Sequence, residues 1–277
     1  MLKTATHCGR SASQSVLLPV TARQPPGASN TWKGVRLRVL SLLSWYEESP
    51  AWLAECVASA ARICDHIIAV DGPYSAFPGA HKKPFSGTEQ ADAIIRTAAG
   101  CGIGATVHAP RQPWWGPNGG EVAKRDFMFQ LGLTFAEPGD WFFRIDADEV
   151  LTNVPHDVHQ KLSASKHDVA EVLIWEREAS SHINELVDAG GDYESPFRCL
   201  YRAIPGIRIE QAHFIVTAPI NGKREFLTGP KQVPAEPLWE MRLEHRTRLR
   251  PPGRQRLKAE YSELINTFEK VEDKPRD

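Results

Sequence analysis

An α/β architecture on a mostly parallel sheet is predicted for this chain from three observations. Short apolar runs such as Ile67-Ile68-Ala69-Val70 alternate with amphipathic helical segments, at the spacing of βαβ units. Most residues of these runs are apolar, not only every second one, as expected for strands covered on both faces; 141–145 has four apolar residues out of five. Two of them, at 65–70 and 141–145, lead directly into aspartates, Asp71 and Asp146.

The elements follow in order. Residues 1–33 are rich in Ser, Thr, Ala, Gln and Pro, are broken by Pro25-Pro26-Gly27, and have little periodic apolar content. They are expected to form a poorly ordered leader. Order is expected from Val35, with 36–43 as a strand that becomes buried. Glu48-Ser49-Pro50 starts a helix that gathers Trp52, Leu53, Cys56, Val57 and Ala60 on one face. Residues 65–70 form a buried strand that ends at the turn Asp71-Gly72-Pro73. A helix over 88–99, a strand over 105–109, a Gly/Pro/Trp loop over 111–120 and a helix over 121–135 come next. The strand 141–145 then delivers Asp146-Ala147-Asp148-Glu149. Beyond 165 the connections become irregular: strands are predicted at 169–175, 197–203 and 207–216, a long loop at 219–237 and an amphipathic helix at 257–271.

Composition limits the functional classes. The 277 residues are 42% hydrophobic and 24% charged, which supports a packed core. With 33 basic against 34 acidic side chains, nothing draws the whole molecule to nucleic acid or anionic lipid, so anion recognition has to be local. The best apolar run, 35–45, is interrupted by Arg36 and Arg38, and the run 16–20 is too short for a secretory signal. A cytoplasmic protein without a membrane span is expected. Five cysteines without a C-x-x-C pair read as reduced, mostly buried small hydrophobes.

The most informative segment is the acidic strand end. In extended geometry Asp146 and Asp148 share a side, and two hard oxygen donors at the carboxyl end of a parallel strand can hold Mg2+ or Mn2+ with positions left for phosphate oxygens. Three clustered acids repel one another, and a cation would relieve that repulsion.

Three segments, Asn118-Gly119-Gly120-Glu121-Val122-Ala123-Lys124-Arg125-Asp126, Gly139-Asp140-Trp141 and Asp146-Ala147-Asp148-Glu149-Val150-Leu151-Thr152, resemble the GT-A glycosyltransferases, particularly family 2-type enzymes with a D-A-D-E signature. The resemblance extends over about 36–273. It implies a Rossmann-like GT-A sheet, mostly parallel and mixed in the C-terminal half, flanked by helices. It also implies one domain over 34–273, with a nucleotide-binding half at 34–152 and an acceptor and metal-completing half at 153–273. The implied reaction moves a sugar from a UDP- or GDP-type donor to an unidentified glycan, lipid or protein hydroxyl, with Mn2+ or Mg2+ bridging the diphosphate.

The resemblance assigns roles to individual residues. Asp71 takes the place of a nucleoside-binding aspartate, and Trp45 and Tyr46 occupy a segment that touches the base. Lys124 and Arg125 reach toward the donor, with Arg125 the stronger candidate because a guanidinium grips phosphate bidentately. Asp146 and Asp148 with the late His245 form the metal set, and an imidazole among carboxylates suits Mn2+. Arg246, Arg248 and Arg250 face the diphosphate or hold a closing loop. Trp114 and Trp115 either line a sugar pocket or anchor their loop. The chain departs from the family at Phe214, where a glutamate is common, so the catalytic base stays open among Glu149, Glu210, His213 and Asp192.

Two other classes compete. A sugar-phosphate nucleotidyltransferase would share the fold but carry a Gly-rich loop after the first strand, and 43–48 contains no glycine. A non-catalytic carbohydrate- or nucleic-acid-binding module would use the basic run 242–258, with seven Lys/Arg against one Glu. Sparse aromatic interleaving and the balanced net charge disfavour nucleic acid.

Overall fold

The computed structural model describes residues 18–20, 37–116, 118–176, 193–212 and 214–261. The first half runs β1 (Leu18–Val20), β2 (Val39–Ser44), α1 (Pro50–Ala60), β3 (His66–Val70), α2 (Thr88–Gly100), β4 (Gly104–His108), α3 (Glu121–Leu133) and β5 (Trp141–Asp146). The second half runs β6 (Glu149–Asn153), α4 (Val158–Ala164), β7 (Val169–Glu176), β8 (Tyr193–Arg202), β9 (Arg208–Ile209), β10 (Val216–Ile220), β11 (Lys223–Phe226) and β12 (Glu236–His245). A closing helix, α5, spans 252–261.

The α/β expectation holds. One nine-stranded sheet has the order β1-β4-β3-β2-β5-β8-β7-β12-β6, and β11-β10-β9 form a separate three-stranded sheet. The block β4-β3-β2-β5 is parallel, β8 runs antiparallel between β5 and β7, β12 is parallel to β7, and β6 and β1 close the edges antiparallel. The central strands read as continuous apolar runs because each face has its own core. Val39 and Leu43 of β2 pack with Leu53, Val57 and Ile94 from α1 and α2. Leu40 and Leu42 pack on the opposite face with Met128 and Phe129 of α3 and with Val216 of the small sheet. The backbone N–H of Ile209 donates to Asp126 at 3.0 Å, tying the small sheet to α3. Buried free thiols at Cys56, Cys64 and Cys199 contribute to the packing, while Cys101 is exposed. Among the described residues no helix is long and apolar enough to cross a membrane.

The topology fixes where a ligand can sit. From β2 the chain steps through β3 to β4 on one side, then returns to place β5 on the other, so strand order reverses between β2 and β5. In open α/β sheets the crevice lies outside the carboxyl ends at such a reversal. Here that point is the registered pair Ser44 and Asp146.

Several expectations are corrected. Asp146 and Asp148 do not lie two apart on one strand: β5 stops at Asp146, the chain turns at Ala147-Asp148, and Glu149 begins β6. The span 207–216 is two strands around a turn rather than one, and 219–237 holds β11 and the start of β12 rather than a loop. Strand β12 was obscured by its irregular register, which shifts between Pro237 and Arg242 and puts the inward residues Leu238, Met241 and Leu243 out of a simple alternation. Helix α5 starts five residues before the expected 257, and residues 262–271 lie outside those described. Within 1–33 the structure describes only β1, paired with β4.

Candidate active site

Inserting β12 between β7 and β6 sets His245 in register with Glu176 on one side and Glu149 on the other. His245 Nε2 lies 3.3 Å from Asp148 Oδ2 and Nδ1 lies 2.7 Å from Glu176 Oε2. Asp148 also accepts from Thr247 Oγ1 and faces Arg250 Nη1 at 3.1 Å, and Arg250 Nε donates to Glu48 at 3.0 Å. Burial disfavours charge on both members of the central pair, but their mutual interactions win. The hydrogen bond with His245 and the Arg250 charge hold Asp148 well below the usual carboxylate range. Hydrogen bonds to Asp148 and Glu176 push His245 up to about 10 despite its burial. The imidazolium proton therefore balances carboxylates that a bound cation would otherwise balance.

Asp146 takes a different partner. Arg125 on α3 grips it bidentately, at 3.0 and 2.8 Å, and reaches Glu121 through Nε at 3.2 Å. The backbone N–H of Asp146 donates to Glu149 Oε2 at 2.8 Å. Burial, then the Asp146 charge, pushes Glu149 up to about 8, so its carboxyl keeps its proton at neutral pH and is a poor general base in this arrangement.

Lys124 and Asp71 serve the loops. Lys124 Nζ donates to the carbonyls of Trp45 at 2.7 Å and Gly72 at 2.9 Å, stapling together the chain segments that follow β2 and β3. Asp71 accepts from Ser86 N and Oγ, both at 2.7 Å, and from Gly72 N at 2.6 Å, folding 72–86 back on itself. Burial lowers Lys124 to about 7. Below that value both folded and unfolded chains carry the charge; above it only the unfolded chain does, up to its ordinary value of 10.5. Stability from this site therefore rises with pH in the window 7–10.5. The unfolding free energy of the native chain relative to Lys124→Met is expected to increase by up to about 1.4 kcal/mol per pH unit there, read by urea titration at several pH values. A flat difference would mean that the lysine is not desolvated.

The basic cluster is divided among structural partners. Arg246 pairs with Glu244 at 2.6 Å and with Glu55 of α1 at 2.6 Å, not with the Asp148 side chain. Arg248 lies on the short turn Thr247–Leu249, and its carbonyl accepts from Gln255 at 2.7 Å. Helix α5 packs onto the surrounding loops with residues at i, i+4 and i+7. Arg254 stacks over Tyr46 and Phe77 at 5.6 and 5.1 Å, Lys258 donates to Thr247 Oγ1 at 2.8 Å, and the Tyr261 hydroxyl donates to the Asn118 carbonyl at 3.1 Å. Trp45 is core. Trp114 anchors its loop through Nε1 on the Asp71 carbonyl at 2.8 Å, whereas Trp115 is 59% exposed beside His81. Glu210 is engaged by Arg208 and Arg224 in the small sheet. His213 and Asp192 lie outside the described residues.

Gly120 makes this arrangement possible. Its φ is +101°, and a Cβ there would meet the Trp114 carbonyl oxygen at 1.7 Å. Gly120→Ala is expected to cost about 2–3 kcal/mol through backbone strain, seen as a lower melting temperature. An unchanged melting temperature would mean that the loop 114–120 relaxes freely.

Glu48, Glu176 and Thr247 are the site residues that sequence reasoning missed. Glu176 had a usable signal: it closes the predicted strand 169–175, and strand ends on the carboxyl edge line the crevice.

No protein-family model matches the chain, and no curated protein sequence matches it.

Proposed function

We propose that this chain is a metal-dependent glycosyltransferase of the GT-A type, transferring a sugar from a nucleotide-sugar donor. The reading is carried by one observation. Asp148, two residues past the carboxyl end of β5 at the strand-order reversal, meets His245, with Glu176 holding the far nitrogen of the imidazole. Among the described residues no three His, Cys, Asp or Glu side chains are grouped to hold a metal ion. Mn2+ or Mg2+ would be held by Asp148 and by His245 once the incoming ion displaces the proton on Nε2, with waters and substrate phosphates in the remaining positions. When bound, the ion supplies Lewis-acid stabilisation of the departing diphosphate. Arg250 is the cationic side chain beside that position, and in this reading it exchanges Asp148 for phosphate oxygens when donor enters. Arg125 orients the acidic turn through Asp146 and does not grip the donor itself. The parallel block followed by antiparallel β8 supports the same reading.

Calorimetric titration of UDP and GDP with and without Mn2+ tests the reading. Binding of at least one nucleotide that requires Mn2+ is expected. Equal binding without metal would remove the coordination proposal, and binding of neither would remove the donor class.

A further inference from the structure

Strand β5 is paired with β8 only up to Phe143 and Leu200, although it continues beside β2 as far as Asp146. Past Phe143 the sheet forks, and Arg144 is the first residue beyond the fork. Alternation along β5 turns Phe143 and Ile145 into one core, while Phe142, Arg144 and Asp146 share the other face. Arg144 is 8% exposed. Its guanidinium lies over the rings of Phe197 and Tyr201 of β8, at 5.5 and 6.0 Å, and Nη1 is buried with no hydrogen-bond partner. No ion pair or hydrogen bond joins its side chain to any described residue. Nearby arginines differ: Arg125 holds Asp146, and Arg198 holds Glu171 and the carbonyls of Leu227 and Val233.

Asp146 on the same face reaches Arg144 through its charge, but its carboxylate oxygens are gripped by Arg125, so the buried Nη1 is left without an acceptor. A buried guanidinium N–H without an acceptor is costly, and it persists where an anion arrives to complete it. We propose that Arg144 binds a carboxylate on the substrate, so that the transferred sugar or the accepting sugar is a uronic acid; this rests on the glycosyltransferase reading above. Two features favour carboxylate over phosphate. The ring contacts occupy the face of the guanidinium and leave its N–H edge, which matches a planar carboxylate bidentately. One cation neutralises one carboxylate, whereas a phosphate dianion would leave excess negative charge beside Asp146.

The test is binding of free D-glucuronate, D-glucose and inorganic phosphate to the full chain by calorimetry, repeated with Arg144→Met and Arg144→Lys. UDP-glucuronate and UDP-glucose are compared in the presence of Mn2+. Saturable binding of glucuronate but not glucose, weakened about tenfold or more in Arg144→Met and only partly restored in Arg144→Lys, is the expected result. A matching preference for UDP-glucuronate places the carboxylate on the donor; free glucuronate binding without that preference places it on the acceptor. Arg144→Met should melt at or above the temperature of the native chain, because it removes a buried donor that has no acceptor. Equal binding of glucose, phosphate binding as tight as glucuronate, or unchanged glucuronate binding in Arg144→Met overturns the proposal. A lower melting temperature with discrimination intact would make Arg144 a packing residue. Failure of UDP and GDP to bind with Mn2+ would remove the glycosyltransferase reading, and the glucuronate and glucose arms are read separately from that result.

Discussion

Asp148→Asn is expected to slow sugar transfer by roughly 10³-fold and to abolish Mn2+-dependent nucleotide binding, because metal stabilisation of a leaving group is worth several kcal/mol. The substitution keeps the side-chain volume and does not touch the Asp148 carbonyl, which accepts from Arg246 N at 2.8 Å. It removes the one charge that both His245 and Arg250 face. Their partial loss of partners should also lower the unfolding free energy by about 3 kcal/mol, the cost of breaking a buried charged pair. Measuring transfer, or slow donor hydrolysis, below the melting temperature of the variant separates the two effects. Wild-type transfer rates in Asp148→Asn would move the active site elsewhere.

Arg125→Met is expected to destabilise the fold by roughly 3 kcal/mol, since it strands Asp146 and Glu121 beneath the acidic turn. The pair is unequally covered, with side-chain exposures of 9% for Arg125 and 29% for Asp146, so water reaches one end and moderates the loss. The double variant Arg125→Met/Asp146→Leu should recover most of that stability, because replacing both charges with apolar groups of similar size removes the stranded carboxylate. Urea denaturation of the two single variants and the double variant measures the coupling. Additive losses would mean that the bidentate contact contributes nothing to stability.

The framework was legible because its strands carry their own local signal. β3 and β5 are mostly apolar, with Arg144 the charged residue inside β5, and α1 is announced by Ser49-Pro50 and an apolar face, so hydrophobic periodicity places them without knowledge of their neighbours. Strand β12 was illegible for the opposite reason: its register shift mixes inward and outward positions, and its charged residues Glu240, Arg242 and Glu244 resemble a solvated segment. The site divides in the same way. Of the expected set Asp146, Asp148 and His245, the last two lie in contact although 97 positions separate them, whereas Asp146 pairs with Arg125. The partners of Asp146 and Arg246 were not predictable, because side-chain pairing across a sheet depends on strand order and register.

From sequence alone came the chemical inventory: an α/β chain with acids at the end of a buried strand and a basic run far downstream. Tertiary structure decided which charge meets which. Parallel strand order and the fork between β5 and β8 are long-range choices, settled by packing two cores at once, and electrostatic pairing at short range follows from them.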